Sequence, residues 1–179
     1  MEELPEIYAE HEGLEVIVAV GDNWARKRIA MEIQEMCPGI GFGRAIHPSA
    51  QIGCGVRIGA GAVIMAGAVV NPSAQVGEGC IVNTRASLDH DSVMGEYSSL
   101  GPGAAIGGTV RIGAYTSIGI GAAVIQEITI GDHVVVGAGA VVVRPIPDSV
   151  VAYGVPARVM RARQAGERYM GTVTAGGRK

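Results

Sequence analysis

Aromatic side chains are almost missing from this chain, with one phenylalanine, one tryptophan and five tyrosines in 179 residues. A core built around rings is therefore excluded, and aliphatic side chains have to supply nearly all of the packing. Cysteine is sparse too: Cys37, Cys54 and Cys80 are odd in number and show no C-x-x-C spacing, which excludes a disulfide framework and a zinc knuckle. Charge is low, 14 basic against 17 acidic residues with no basic cluster before the short tail, so nucleic acid is not expected as a partner. Although 48% of the residues are hydrophobic, no stretch approaches eighteen apolar residues in a row, and no membrane span is expected. Residues 1–12 are acidic and lack the basic start and apolar run of a signal peptide, which predicts a cytoplasmic chain.

What the chain has in abundance is a period. From Ile46 to Val142 an aliphatic residue stands at every sixth position without a skip, seventeen in all. Glycine follows directly at ten of them, and the residue four places on is always Ala, Val, Cys, Ser, Thr or Ile. An α-helix turns every 3.6 residues, so a six-residue stripe would wind around it, whereas short strands broken by tight turns present one inward residue per hexad. Such a repeat predicts an all-β solenoid, a parallel β-helix, over residues 43–146. With three hexads per coil, the aliphatic residues fill the axis and the small residue sits inside the corner. The glycine that follows each aliphatic residue is expected to supply the turn. Residues eighteen apart then stack on successive coils at about 4.8 Å, the spacing of neighbouring strands.

Leu14 to Val20 (LEVIVAV) reads as a fully buried strand ended by Gly21-Asp22-Asn23, and Trp24 to Met36 as a helix capped by Asp22 or Asn23. Strand, loop and helix are half of a βαβ unit. About forty residues are too few for an independent sheet, so residues 1–42 read as part of a domain whose front is missing. Pro145, Pro147 and Pro156 break the repeat. Residues 147–163 are expected to cap its open edge, and residues 164–179, without periodicity, to form a mobile tail.

Histidine occurs only at positions 11, 47, 90 and 133. His90 stands in Leu88-Asp89-His90-Asp91-Ser92, where a hexad loses its glycine and gains two carboxylates. A carboxylate that holds one ring nitrogen makes the other a better base. One coil on stands Gly108, with no side chain to block a ligand from its backbone N–H. A base beside an open donor suits acyl transfer. The plain alternatives are a solvated face histidine and an ordinary turn glycine.

The hexads resemble those of the left-handed β-helix acyltransferases, an exception to the right-handed crossover rule. Five motifs narrow the resemblance: Val18-Ala19-Val20-Gly21-Asp22-Asn23 with Arg26-Lys27, Ile46-His47-Pro48-Ser49-Ala50, Val82-Asn83-Thr84, Asp89-His90-Asp91 and Gly154-Val155-Pro156-Ala157. They are similar to those of the UDP-4-amino-sugar N-acetyltransferase and sialic acid O-acetyltransferase group. That resemblance implies acetyl-CoA as co-substrate, a UDP-linked amino sugar of surface glycan biosynthesis as acceptor, no metal, a partial Rossmann-like nucleotide-binding segment over residues 1–42, and a homotrimer with its coenzyme groove between two subunits. It implies His90 as general base with Asp91 raising its basicity. Gly108, Ser99, Ile120, Gly137, Ala138 and Gly139 would meet the coenzyme, and Gly21 and Asn83 the sugar nucleotide. Ser99 stands where the family commonly carries a second histidine.

Three other readings are open at this stage. Other hexapeptide acyltransferases O-acetylate sialic acid or simple sugars. A gamma-class carbonic anhydrase needs three histidines converging on zinc, and His47 and His133 each lie 43 residues from His90, not a whole number of coils. A non-catalytic solenoid scaffold would bind no acetyl-CoA.

Overall fold

The hexads build a three-faced prism in the computed structural model, which describes residues 3–169. Each hexad contributes a two-residue strand. The first face carries Ala45–Ile46, Val63–Ile64, Ile81–Val82, Ser99–Leu100, Ser117–Ile118 and Val135–Val136. The second has six strands from Gln51–Ile52 to Val141–Val142, and the third has five from Arg57–Ile58 to Thr129–Ile130. These strands pair in parallel with an offset of eighteen residues, so that Leu88 lies between Val70 and Ile106.

The stripe residues from Ile64 to Val142 point down the axis and are buried, as are the small corner residues Ala62, Ala68, Ala86 and Cys80. Where a corner residue is polar, its hydroxyl is fully used. Ser92 Oγ donates to Gly107 O and accepts from Val110 N, and Thr116 Oγ1 does the same between Gly131 O and Val134 N. These hydroxyls stitch adjacent coils, so burying them carries little desolvation cost.

The glycines differ from expectation. The left-handed turn residue is not the one that follows the aliphatic position but the one two places later, and it includes Arg85, Asp91, Tyr97, Thr109, Tyr115 and His133 as well as glycine. The glycines directly after the stripe serve close approach instead. A Cβ at Gly59 would sit 2.5 Å from Glu78 N, and one at Gly119 2.6 Å from Ala138 N, both backbone atoms of the next coil. The coil spacing, rather than the turn, demands them.

Two helices precede the prism, α1 (Leu4–Glu10), which the sequence reading missed, and α2 (Asn23–Met36). Asp22 caps α2, its Oδ1 accepting from Ala25 N at 2.9 Å. The long buried strand expected over Leu14 to Val20 is only Glu15–Val16, paired in parallel with Gly41–Phe42. Glu15 and Ile17 are exposed and Val18 is buried. Two strands have no sheet to cover both faces, so the segment alternates. The result is a minimal β–α–β unit whose apolar side, Val18, Ala30, Ile33, Cys37 and Ile40, closes against Tyr97 of the prism.

At the other end Val150–Tyr153 adds a further parallel strand to the first face, and Arg158–Ala162 folds back antiparallel upon it. Residues 164–169 of the tail read as mobile cross back toward α2, with Arg163 Nη1 donating to His133 O at 3.2 Å and the Tyr169 hydroxyl to Gly21 O at 3.3 Å. The rest of that tail lies outside the described residues.

Candidate active site

The corner between the second and third faces carries Asp89, His90 and Asp91. Asp91 is the left-handed turn residue, φ +58°, a conformation that aspartate tolerates better than most residues. The His90 Nδ1–H donates to Asp91 Oδ2 at 2.8 Å, which leaves the Nε2 lone pair free. The Asp91 hydrogen bond, and then the Asp89 charge, hold the imidazole pKa above its ordinary value. Asp89 is itself fixed: its Oδ1 accepts from His90 N at 2.8 Å and from Asn71 Nδ2 at 2.7 Å. Those bonds keep its carboxyl below the usual range.

Gly108 lies directly over the imidazole. Thr109 N donates to His90 O at 2.9 Å, and a Cβ on Gly108 would fall 2.6 Å from His90 Nε2. Any side chain there would push the ring aside. Among the described residues the Gly108 N–H has no intramolecular partner. An open cavity of about 270 Å³ is bounded by Asp89, His90, Gly108, Thr109, Gln126 and Glu127. Base, fixed carboxylates and a free amide thus share one corner, an arrangement able to deprotonate a nucleophile and steady a growing oxyanion.

The other candidate residues gather elsewhere. A second cavity, of about 560 Å³ and largely apolar, lies on the first face and its corner with the second. Gly21, Asn83, Ser99, Ile120, Gly137 and Ala138 line it, with Tyr169 closing one side. Gly139 sits at the same corner, its α-carbon facing open space. Ser99 is nearly buried with its Oγ 3.5 Å from Ser117 Oγ, whereas Ile120 is 63% exposed.

No family model and no curated protein sequence matches this chain. Solved structures do. A GDP-perosamine N-acetyltransferase from Caulobacter crescentus, a histidine-to-alanine variant in complex with CoA and GDP-perosamine, is 40% identical with a TM-score of 0.84, covering 89% of this chain and 75% of that one. PerB from Caulobacter crescentus, in complex with the same two ligands, is 41% identical with a TM-score of 0.84 over 89% and 76%. The acetyltransferase domain of PglB from Neisseria gonorrhoeae is 38% identical with a TM-score of 0.83 over 89% and 77%. The chain belongs to the hexapeptide-repeat sugar N-acetyltransferases, of left-handed β-helix fold.

Within this acetyltransferase fold the ten candidate residues divide into two groups on two corners of the prism. His90, Asp91 and Gly108 are together at one; Gly21, Asn83, Ser99, Ile120, Gly137, Ala138 and Gly139 are together at or beside the other. The histidines also separate, with His47 after the first face, His90 after the second and His133 after the third. A three-histidine metal site within one chain is thus ruled out by geometry. Sequence reading missed Asn71, Gln126 and Glu127 at the His90 corner and Tyr169 at the cavity. The first two were within reach, since Asn71 stands eighteen residues before Asp89 and Gln126 eighteen after Gly108. Tyr169 lies outside the repeat, where no column applies.

Proposed function

We propose that this protein moves the acetyl group of acetyl-CoA to the amine of a nucleotide-linked amino sugar, acting as a homotrimer in which His90 of one copy faces the first-face cavity of the next. The observation that carries this reading is the His90–Asp91 pair with Nε2 in the space that a Gly108 side chain would fill. The sugar amine attacks the thioester carbonyl while His90 Nε2 takes its proton. Asp91 stabilises the imidazolium, the Gly108 N–H meets the oxyanion, and collapse breaks the C–S bond, the proton passing to the departing thiolate. Ser99, Ile120, Gly137, Ala138 and Gly139 hold the coenzyme, and Asn83 and Gly21 the nucleotide sugar.

Family membership supports the chemistry, because the similar structures include GDP-perosamine N-acetyltransferase bound to CoA and its amino sugar. The exposed Ile120 beside an apolar cavity supports the assembly, since a second surface is needed to cover it. The acceptor is taken to be a UDP-linked 4-amino sugar on the way to a surface glycan, and the supply of acetyl-CoA places the reaction in the cytoplasm. Thiol release from acetyl-CoA, measured against UDP- and GDP-linked amino sugars, tests the assignment. One UDP-sugar is expected to lead the panel, and His90→Ala to lower kcat/KM by about a thousandfold. Equal rates for parent and His90→Ala would remove the assigned base.

A further inference from the structure

Arg26 is 1% exposed and has no carboxylate partner among the described residues, yet every one of its N–H groups is used. Nε donates to Gly79 O at 2.7 Å, and Nη1 to Val20 O at 2.8 Å and Gly21 O at 3.1 Å. Nη2 donates to Tyr97 O at 3.2 Å and to Asn23 Oδ1 at 2.8 Å. Four of the five acceptors are therefore backbone carbonyls, drawn from two coils of the prism and from the turn before α2. A planar fork of five donors can hold that set, which an ammonium with three cannot. The Asn23 side chain extends the bolt, donating to Thr116 O at 3.1 Å.

The clamp reaches the first-face cavity through one peptide group. The Gly21 carbonyl accepts from Arg26 on one side and from the Tyr169 hydroxyl, at 3.3 Å, on the other. Gly21 and Tyr169 both line that cavity. We propose that Arg26 is a positioning residue for the acceptor-binding wall: by fixing the Gly21 peptide against the prism it sets where Gly21 and Tyr169 stand, and so sets affinity for the nucleotide sugar without touching it. This rests on the acetyl-transfer reading for the identity of the ligand.

The test compares Arg26→Lys and Arg26→Gln with Lys27→Gln, a variant that disturbs the same helix contact, since Lys27 Nζ lies 4.7 Å from the Tyr97 ring centre, but leaves Gly21 alone. Acceptor KM, kcat and its pH profile are measured beside melting temperature, and nucleotide diphosphate binding is titrated independently of turnover. Arg26→Lys is expected to raise acceptor KM and nucleotide Kd about tenfold, with kcat within about twofold and the pH profile unmoved. Tyr169→Phe, losing only the hydroxyl contact, gives the same split at about two- to threefold. Lys27→Gln leaves KM unchanged.

Unchanged KM and Kd in folded Arg26→Lys would overturn the proposal, and so would an equal rise in Lys27→Gln, which would reduce Arg26 to general support. If Arg26→Gln does not fold, the lysine variant decides. A parent protein that binds nucleotide without acetylating anything would sink the acetyl-transfer reading alone, because the Kd comparison still stands. A parent that binds neither would remove the cavity as a ligand site, and this role for Arg26 with it.

Discussion

The His90 corner and the first-face cavity differ in nearly every physical respect. The corner is small, about 270 Å³, and lined mainly by polar residues, with the His90 and Asp91 side chains more than half exposed. The cavity is twice as large, mostly apolar, and walled by three separate parts of the chain. One carries the candidate base; the other has the room for a larger ligand but no histidine or carboxylate in its lining. The second face of the prism lies between them, and the stacked strands that form it do not bend. Under the proposed trimer each site takes its base from one copy and its cavity from the next, so each copy serves two sites and a closed ring gives three complete ones.

Mixing two inactive variants offers the largest effect with which to break that comparison. His90→Ala removes the base, and Ala138→Trp fills the cavity at an exposed corner position without touching the corner that holds His90. Each homotrimer is expected to be nearly inactive. Random reassembly of equal amounts should restore roughly a quarter of parental activity, because one site in four then pairs an intact base with an intact cavity. No recovery after mixing would place both halves in one chain.

Next in size is the contrast between neighbouring glycines. Gly108→Ala puts a methyl 2.6 Å from His90 Nε2, a side chain that can swing away. Gly107→Ala puts one 2.7 Å from Gln126 N, a backbone atom that cannot. The first is expected to lower kcat by about a hundredfold, as the loss of an aligned base and donor does, with little change in melting temperature. The second should cost about 1–3 kcal/mol of stability, the usual penalty of overpacking. Equal melting losses in both would show that Gly108, like its neighbour, serves only the stacking of coils.

The acid side of the pH profile gives a smaller shift with a definite sign. His90 must be neutral to accept a proton, and its pKa is raised chiefly by the Asp91 hydrogen bond. The parental rate therefore falls as pH drops through a value above the ordinary histidine range. Asp91→Asn removes that support, so the imidazole pKa falls and the acid limb of kcat/KM moves to lower pH, while the plateau declines because the imidazolium is less stabilised. A limb that stays in place would show that Asp91 does not govern the base.

Much of this was legible because the repeat converts sequence distance into spatial distance. Eighteen residues means one coil, so the juxtaposition of His90 with Gly108 follows from arithmetic on the sequence, and the buried stripe from Ile64 to Val142 from period alone. What failed lies where that conversion ends. The stripe residues Ile46 and Ile52 were expected in the core but are exposed, because the first coil has no coil beneath it. Turn glycines were misplaced by two positions, since period does not reveal which residue carries the left-handed φ. The apolar run before α2 read as a buried strand because composition does not report how many strands are present to cover it. Arg26 was noticed only as part of a motif, and its five hydrogen bonds depend on a docking geometry that no spacing encodes.

Ser99 sets the smallest expected effect and the finest comparison between the two halves. It stands where the family commonly has a second histidine, and its side chain is tucked against Ser117 on the first face rather than projecting like Ile120. A hydroxyl can offer one hydrogen bond to the coenzyme, at roughly 0.5–1.5 kcal/mol net. Ser99→Ala should therefore raise the acetyl-CoA KM only about two- to tenfold, within the range that energy allows, and leave kcat and the pH profile unchanged. A fall in kcat with KM constant would mean that the serine acts on the transition state, which would tie the first face to the chemistry that the present division assigns to the His90 corner alone.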